Sequence, residues 1–407
     1  MPARAEDGIV ASIDRARQLL AEVRDPGSAK RVADLARAAE IYGKRQRLSE
    51  EVIGHATAIR VDALTRLGEM LLAMPKNGGA RGIGKSAVPN GDHTPAKLAD
   101  IGISKKESAA AQKLADLKAK APALHEQVRT SKTTAAKATV EVRRQAKRAD
   151  LEAKATAAAP TSDAWRVITG DAVAELRKVA DRPRLIFADP PYNVGVDYGG
   201  GAEADLVPGA EFVAWVESWV RLGHAALTPD GSFWFLISDE YAAECCLVLK
   251  RYFTLRNWLI WHETFGVNCS NKFNRTTRHL FYCVKDPARF VFNAEAVTRP
   301  SARQVVYNDG RATNAGKLWD SLWTIPRLVG TAAERIPDFP TQLPLELLTP
   351  IICCATDPGD LVLDPFNGSG TTGAAAVANG RRYVGIEKSA KFADLARLRL
   401  TGVRDRR

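Results

Sequence analysis

The stretch from residue 361 to residue 387, LVLDPFNGSGTTGAAAVANGRRYVGIE, constrains the fold of this chain more than any other segment. A short apolar run typical of a buried strand leads through a glycine-rich turn and a helix into a second strand. Gly368, Gly370 and Gly373 have the spacing G-x-G-x-x-G, which permits a tight turn and close backbone approach to a ligand. Glu387 ends the second strand, where an acid can accept hydrogen bonds from ribose hydroxyls. The unit predicts a nucleoside-cofactor site, and by itself it does not separate NAD from S-adenosylmethionine.

Strand-like and helical segments alternate through residues 161–407. The runs RLIFA, GSFWFLIS, NWLIWHE and HLFYCVK are short, apolar and typical of strands. This alternation predicts an α/β fold, Rossmann-like, with a mostly parallel sheet and helices on both faces. Ligands in such folds bind outside the carboxyl ends of the strands, so we expect the functional residues to follow the strands directly.

Residues 1–118 lack this alternation and predict an all-α N-terminal region. Within it, residues 94–117 predict two short helices around a turn at Gly102, the outline of a helix-turn-helix. Ser104 and Glu107 have the spacing of a capping box at the start of the second helix.

The second of these helices would enter a DNA major groove. It would present four polar side chains, Lys105, Lys106, Ser108 and Gln112. The segment resembles the helix-turn-helix units of phage-encoded and plasmid-partition DNA-binding proteins. An ordinary helical hairpin is the alternative interpretation.

Residues 119–160 predict a basic connector rich in alanine and lysine, either helical or partly disordered. Residues 118–160 contain ten Lys and Arg against four Asp and Glu, and the whole chain carries a formal net charge of +11. A basic balance of this size indicates a polyanionic partner, most often nucleic acid. A solvated helix face and a generally basic proteome are the alternative explanations.

The cysteines and histidines give no sign of a metal site. The six cysteines are scattered without a C-x-x-C pair, and the histidines lack ligand spacing, so no metal is predicted. A long chain with few cysteines is typical of a reduced, cytoplasmic protein. The start of the chain has no apolar signal core, and no apolar run is long enough to span a bilayer, so no membrane partner is expected.

A second motif follows the strand RLIFA, where the chain places Asp189, Pro190, Pro191 and Tyr192 in sequence. The prolines fix φ and remove two backbone donors, which leaves a stiff stretch of acceptors beside a flat aromatic ring. Such a surface suits a planar group with an amino donor, such as the exocyclic amine of adenine or cytosine.

Accepting both amine N–H bonds would hold the nitrogen lone pair out of conjugation and direct it at an electrophile. If the glycine turn holds S-adenosylmethionine, the electrophile is the sulfonium methyl and the reaction is a direct in-line transfer that depends on positioning. Asp189 is then the nearest acceptor for the departing proton. A base inside a duplex cannot reach such a site, so we expect it to be flipped out.

With these residues, region 163–401 resembles the amino-methylating DNA methyltransferases, which use S-adenosylmethionine on adenine N6 or cytosine N4. DPPY at 189–192 resembles their catalytic motif, and DPFNGSGTT at 364–372 resembles their cofactor loop. The catalytic motif precedes the cofactor loop, an order similar to the beta class, in which a target-recognition segment, here roughly 262–335, lies between them. The resemblance implies double-stranded DNA as the partner and a possible homodimer.

The resemblance also implies the residues that bind the cofactor. They are Asp171, Thr341, Gln342, Asp364, Phe366, Asn367, Gly368, Ser369, Gly370, Thr371 and Glu387. Asp171 has an alternative role as the N-cap of the following helix. Phe339 and Leu343 replace a His and a Lys that are usual in the family segment around Thr341.

Adenine N6 is the expected target, because Asp at the first position of the catalytic motif resembles the adenine enzymes, whereas the cytosine N4 enzymes more often carry Ser. The alternatives are a cytosine-N4 enzyme, an inactive DNA-binding regulator on the same fold, and a nucleotide-dependent oxidoreductase, which leaves DPPY without a role. Four arginines in or near the recognition segment are candidate DNA contacts: Arg275, Arg278, Arg303 and Arg327.

Overall fold

The structure, a computed structural model, describes residues 2–74, 98–99, 101–157, 164–195, 206–267, 269–300, 316–330, 332–336 and 339–403. The chain forms two compact units, Met1–Ala146 and Lys147–Arg407. Among the described residues, no helix is long and apolar enough to cross a membrane.

The first unit is built from helices, as the sequence predicts. These are α1 (Pro2–Ala21), α2 (Pro26–Arg45), α3 (Glu50–Ala73), α4 (Lys105–Lys120), α5 (Pro122–Arg129) and the first part of α6 (Ala135–Ala157). Ser49 caps α3 by accepting from the Val52 N–H, and the predicted capping box of Ser104 and Glu107 starts α4. Each cap satisfies backbone N–H groups that the first helical turn leaves without partners.

The helix that would enter a major groove presents fewer polar groups than the sequence suggests. Ser108 is buried and accepts a hydrogen bond of 3.1 Å from the half-buried Gln112, while Lys105 and Lys106 are exposed. Ser108 is buried because α4 lies tightly on α3, where a Cβ on Gly68 would come within 2.1 Å of the Ala111 carbonyl oxygen. Ser108 is therefore not available to DNA, and most of the first helix of the predicted motif lies outside the described residues.

The chain passes from the first unit to the second within α6, inside the segment 119–160 that the sequence assigns to a connector. Apolar packing along α5 and α6 accompanies this division. Val128 of α5 and Ala138 of α6 share an apolar cluster with Leu114 of α4. Further along α6, Leu151 packs with Phe339 in a cluster of the second unit.

The second unit contains one large mixed sheet. Its strands are β1 (Trp165–Thr169), β2 (Leu185–Ala188), β3 (Ser232–Ile237), β4 (Thr254–Val267), β5 (Arg275–Val284), β8 (Leu322–Thr324), β9 (Leu361–Asp364) and β10 (Arg382–Glu387). Strands β6 (Thr298–Arg299) and β7 (Lys317–Leu318) form a separate pair. The order in the large sheet is β1-β10-β9-β2-β3-β5-β4-β8. The first five strands in this order are parallel, and β5 is antiparallel to both of its neighbours.

Helices cover both faces of this sheet, which confirms the predicted fold class. Along β2, Leu185 and Phe187 face one apolar cluster, while Ile186 and Ala188 face the other. The first cluster includes α10 (Leu345–Ala355), α11 (Thr371–Ala378) and α12 (Ala390–Thr401). The second includes α7 (Ala172–Leu176), α8 (Gly209–Ala226) and α9 (Ala242–Tyr252). This is why the central strands are apolar throughout, since both faces of each are buried.

Candidate active site

The glycine turn after β9 has the backbone conformation that its sequence predicts. Gly368 and Gly370 have φ of +51° and +73°, in the left-handed region where a side chain is strained. The Gly368 N–H donates to Glu387 Oε2 at 2.8 Å, which joins the turn to the end of β10. Gly370 precedes α11, so the turn delivers its backbone to a helix N-terminus.

Glu387 is the acid at the neighbouring strand end. Its Oε1 accepts from the Ser389 N–H at 2.9 Å, so both carboxylate oxygens have a backbone donor. Burial raises the pKa of Glu387, while the backbone N–H groups of Ser389, Gly368 and Lys388 act in the opposite direction. Each carboxylate oxygen can accept more than one hydrogen bond, so this fixed carboxylate can also accept from ribose hydroxyls.

Polar side chains beneath the turn hold its shape. Asn367 is buried, and its Oδ1 accepts from the Tyr383 hydroxyl at 2.8 Å. The buried Arg399 donates from Nη1 to the Ser369 carbonyl at 3.2 Å and to Thr371 Oγ1 at 2.8 Å. Burial lowers the pKa of Arg399 to about 10. Asn367, Ser369 and Thr371 therefore have partners inside the protein that support the turn, and their contacts with the cofactor stay predictions.

Asp364 and Phe366 lie just before the turn. Asp364 Oδ1 accepts from the Phe366 N–H at 2.9 Å, and burial raises the pKa of Asp364 to about 7. The half-buried Phe366 ring meets Trp219 edge to face at a centroid distance of 4.9 Å, and Trp215 at 5.6 Å. An aromatic surface of this kind favours an adenine ring or a sulfonium cation.

The second motif follows β2 at the same edge of the sheet. Tyr192 donates its hydroxyl proton to Asp189 Oδ1 at 2.5 Å. Burial raises the pKa of Asp189 to about 7, although Tyr192 and the Arg278 cation both act to lower it. Pro190 is buried, whereas Asp189, Pro191 and Tyr192 keep part of their surface exposed.

A cation and an acid from the β4–β5 hairpin complete this surface. The Arg278 guanidinium on β5 lies 5.3 Å from the centroid of the Tyr192 ring and 3.4 Å from the buried Glu263 carboxylate of β4. Burial opposes the charge of Arg278, but Tyr192, Glu263 and Asp189 outweigh burial and raise its pKa. Arg278 is thus a contact of the catalytic motif, whereas the sequence indicated only a DNA contact.

The two motifs lie at the same edge of the sheet, as the sequence hypothesis requires. β2 and β9 are parallel neighbours, with Ile186 opposite Leu363. Asp364 is the last residue of β9 and Asp189 directly follows β2, so both lie at the carboxyl ends of adjacent strands. The Asp189 charge contributes to the raised pKa of Asp364. The interaction between two charges weakens with distance, so this effect agrees with both carboxyl groups lying at the same sheet edge.

Two of the remaining predicted residues, Asp171 and Gln342, have other contacts, and a third, Thr341, lies at the surface. Asp171 caps α7, its Oδ1 accepting from the Val173 N–H at 3.0 Å and the Ala174 N–H at 3.1 Å. The side-chain amide of the buried Gln342 accepts a hydrogen bond from the Ile336 N–H and donates one to the Glu334 carbonyl. The N-cap role of Asp171 is therefore present, and its contact with the cofactor stays a prediction, as do those of Thr341 and Gln342.

Several other residues shape the site without forming part of either motif. Asn193, directly after the catalytic motif, has φ of +59° and is buried. Its Nδ2 donates to the Val207 carbonyl at 2.9 Å and the Tyr241 hydroxyl at 3.0 Å. Trp215 and Trp219, which contact Phe366, are spaced i, i+4 on α8, a signal for one helix face that the sequence does contain.

The second unit, which carries both motifs, resembles known DNA methyltransferases. Residues 184–398 match the DNA methylase family of N6 and N4 enzymes. The chain is 34% identical over 251 residues to the DNA adenine methyltransferase YhdJ of Escherichia coli K12, covering 59% of this chain and 83% of YhdJ. It is 26% identical over 240 residues to the type II methyltransferase M.HpaI of Haemophilus parainfluenzae, covering 58% of this chain and 74% of M.HpaI.

Among solved structures, M1.HpyAVI aligns over 58% of this chain and 98% of its own, with a TM-score of 0.42 and 22% identity. The chain belongs to the DNA methylase family, because the family match covers more than half of it and its identity to YhdJ is 34%. This confirms the amino-methylating DNA methyltransferase predicted from the two motifs.

Proposed function

We propose that this chain transfers the methyl group of S-adenosylmethionine to N6 of an adenine flipped out of double-stranded DNA. The observation that carries this proposal is the placement of Asp189 and Tyr192 beside the glycine turn, at the ends of adjacent parallel strands. The name of the relative YhdJ, a DNA adenine methyltransferase, supports adenine as the target, as does Asp at the first motif position.

The residues of the turn fit the cofactor. Glu387 would accept hydrogen bonds from the ribose hydroxyls, and Phe366 would offer an aromatic face. The positive φ of Gly368 and Gly370 would allow the backbone to approach the cofactor closely. When bound, S-adenosylmethionine supplies an electrophilic methyl group.

The residues of the catalytic motif position the acceptor amine. Asp189, as a carboxylate, accepts one amine N–H, the carbonyl of Pro190 accepts the other, and Tyr192 stacks on the base. Held in this way, the nitrogen lone pair would be directed at the methyl group that S-adenosylmethionine would supply. Asp189 would accept the proton that the amine loses on methylation. A carboxyl group with a pKa of about 7 can take up this proton and release it to solvent.

Radiolabelled methyl transfer to a panel of duplex DNAs tests the proposal, with Asp189→Asn as the matched variant. We expect label in DNA with the wild-type protein and none with the variant. S-adenosylmethionine should bind both proteins with a similar Kd by calorimetry, because the glycine turn is unchanged. Equal turnover by the variant would remove Asp189 from the mechanism, and absence of label with every DNA would leave an inactive DNA-binding regulator.

The helical unit supports the choice of DNA as substrate. Residues 1–146 contain 26 Lys and Arg against 17 Asp and Glu, whereas the rest of the chain contains 32 against 30. Nearly all of the net positive charge therefore belongs to the helical unit, and exposed residues such as Lys105 and Lys106 can contact phosphates. Replacing both with Gln should weaken DNA binding and reduce its salt dependence, while binding of S-adenosylmethionine stays unchanged.

The proposal extends to assembly and location. A homodimer follows from the resemblance to the beta class, and sedimentation at several protein concentrations would detect it. Free thiols on all six cysteines support a cytoplasmic location.

A further inference from the structure

Phe273 is an apolar side chain in an unusual position. Its side chain is 97% exposed, and the next most exposed large apolar residue among those described, Leu247, is 64% exposed. A single exposed apolar residue is common on protein surfaces and by itself indicates no partner. Phe273 differs because it is almost fully exposed at the tip of the hairpin that carries Arg278.

The tip that carries Phe273, defined here as residues 269–274, is held in shape by local structure. The Cys269 N–H donates to Asn274 Oδ1 at 2.9 Å, which closes the tip. Below it, β4 and β5 pair at Val267 and Arg275, with a register shift between His262 and Val267. Such bulges redirect a strand and are common beside active sites.

A glycine allows the strands of this hairpin to approach. A Cβ on Gly266 would lie 1.4 Å from the Arg275 carbonyl oxygen, so only glycine fits at this position. Arg275 also pairs with Asp239, 3.4 Å away, and with Glu240, both just after β3. The base of the tip is therefore fixed to the sheet edge that carries the catalytic motif.

The same hairpin contacts the catalytic motif directly. The Arg278 guanidinium on β5 lies over the Tyr192 ring. Phe273 lies five residues earlier in the chain, in the tip that precedes β5. At about 3.3 Å per residue, Phe273 lies within roughly 17 Å of Arg278 along the chain. A duplex whose target base reaches Tyr192 passes within reach of the tip.

The neighbours of Phe273 indicate DNA as the partner in preference to a protein. Ser270, Asn271, Lys272 and Asn274 are exposed and polar, so within the described tip, residues 269–274, Phe273 has polar sequence neighbours, unlike the apolar centre of a protein interface. Lys272 and the amides suit phosphates and base edges. An isolated ring between such groups matches the apolar wedges that unstack base steps.

We propose that Phe273 inserts into the base stack of the duplex and fills the gap left by the flipped target base. This inference rests on the proposed function and adds a positioning residue to it. The ring stabilises the flipped state from outside the pocket, and it does not touch the reacting atoms.

Binding to two duplexes tests the wedge without requiring methyl transfer. The probes are a short duplex selected for tight binding to the wild-type protein and the same duplex with one abasic site, which already contains a gap. By fluorescence anisotropy we expect the wild-type protein to prefer the abasic duplex by about tenfold, in line with base–aromatic stacking. Phe273→Ala should lose this preference, whereas Phe273→Trp should keep it. Leu247→Ala, an equal apolar truncation on α9, should also keep it.

A preference retained by Phe273→Ala overturns the wedge, and so does an equal loss in Leu247→Ala. Methyl transfer separates this inference from the proposed function. If the wild-type protein methylates DNA while Phe273→Ala keeps the preference and the wild-type rate, the wedge alone is wrong. If the preference depends on Phe273 while no DNA is methylated, the proposed function alone is wrong.

Discussion

Comparing Gly368→Ala with Gly359→Ala should separate two effects of alanine. Both variants introduce backbone strain, and only Gly368→Ala also disturbs the cofactor turn. Both glycines have positive φ, +51° and +90°, so alanine at either position costs about 1–2 kcal/mol. A Cβ at Gly359 meets nothing within 4 Å, whereas one at Gly368 lies 2.7 Å from the Phe339 ring. In a domain of this size, the strain alone lowers Tm by roughly 2–8 °C.

Only Gly368→Ala should also affect the ligand. Moving this backbone away from Phe339 disturbs the N–H that donates to Glu387 at 2.8 Å. A hydrogen bond to a charged group contributes about 1.5–3 kcal/mol, so affinity for S-adenosylmethionine should fall by about tenfold or more.

Calorimetric titration and thermal unfolding of both variants measure these effects. We expect a lower Tm in both and a higher Kd in Gly368→Ala alone. Equal Kd values for the two variants would show that the turn does not shape the cofactor site, and the reasoning about Glu387 would be refuted.

Three further predictions concern ionisation and buried charge. The kcat/KM for methyl transfer should fall as the pH drops through about 7. Asp189, whose pKa is raised to about 7, becomes protonated in this range and can no longer accept the amine N–H as a carboxylate. A flat profile from pH 6 to 8 would contradict this. Arg278→Met should move this acid limb to higher pH, since Arg278 lowers the pKa of Asp189; a shift to lower pH would contradict the assigned contact. Arg399→Met should lower stability by about 1–3 kcal/mol in urea unfolding, because Ser369 and Thr371 lose a buried donor; an unchanged midpoint would show that Arg399 is dispensable.

The parts of this structure that follow from local sequence were predictable. The glycine turn, Glu387 at a strand end and the capping box of Ser104 and Glu107 each depend on a few neighbouring residues. The alternation of strands and helices gave the fold class, because apolar periodicity reports which faces are buried.

Contacts between distant segments were not predictable in the same way. Arg278 meets Tyr192 only because β5 pairs with β3 and carries the hairpin to the sheet edge. The sequence predicted that Ser108 is presented to DNA, but the exposure of this side chain depends on how closely α4 approaches Gly68. Register and helix approach depend on partners far away in the chain, and a single sequence does not report them.

The most direct test of the central claim is to find where the methyl group goes. The protein is incubated with duplex DNA and S-adenosylmethionine carrying a deuterated methyl, and the DNA is digested to nucleosides for mass spectrometry. We predict deuterated N6-methyldeoxyadenosine with the wild-type protein. Label in N4-methyldeoxycytidine would contradict the choice of adenine. The absence of any labelled nucleoside with every DNA tested would contradict the claim that Asp189 and the glycine turn together carry out methyl transfer.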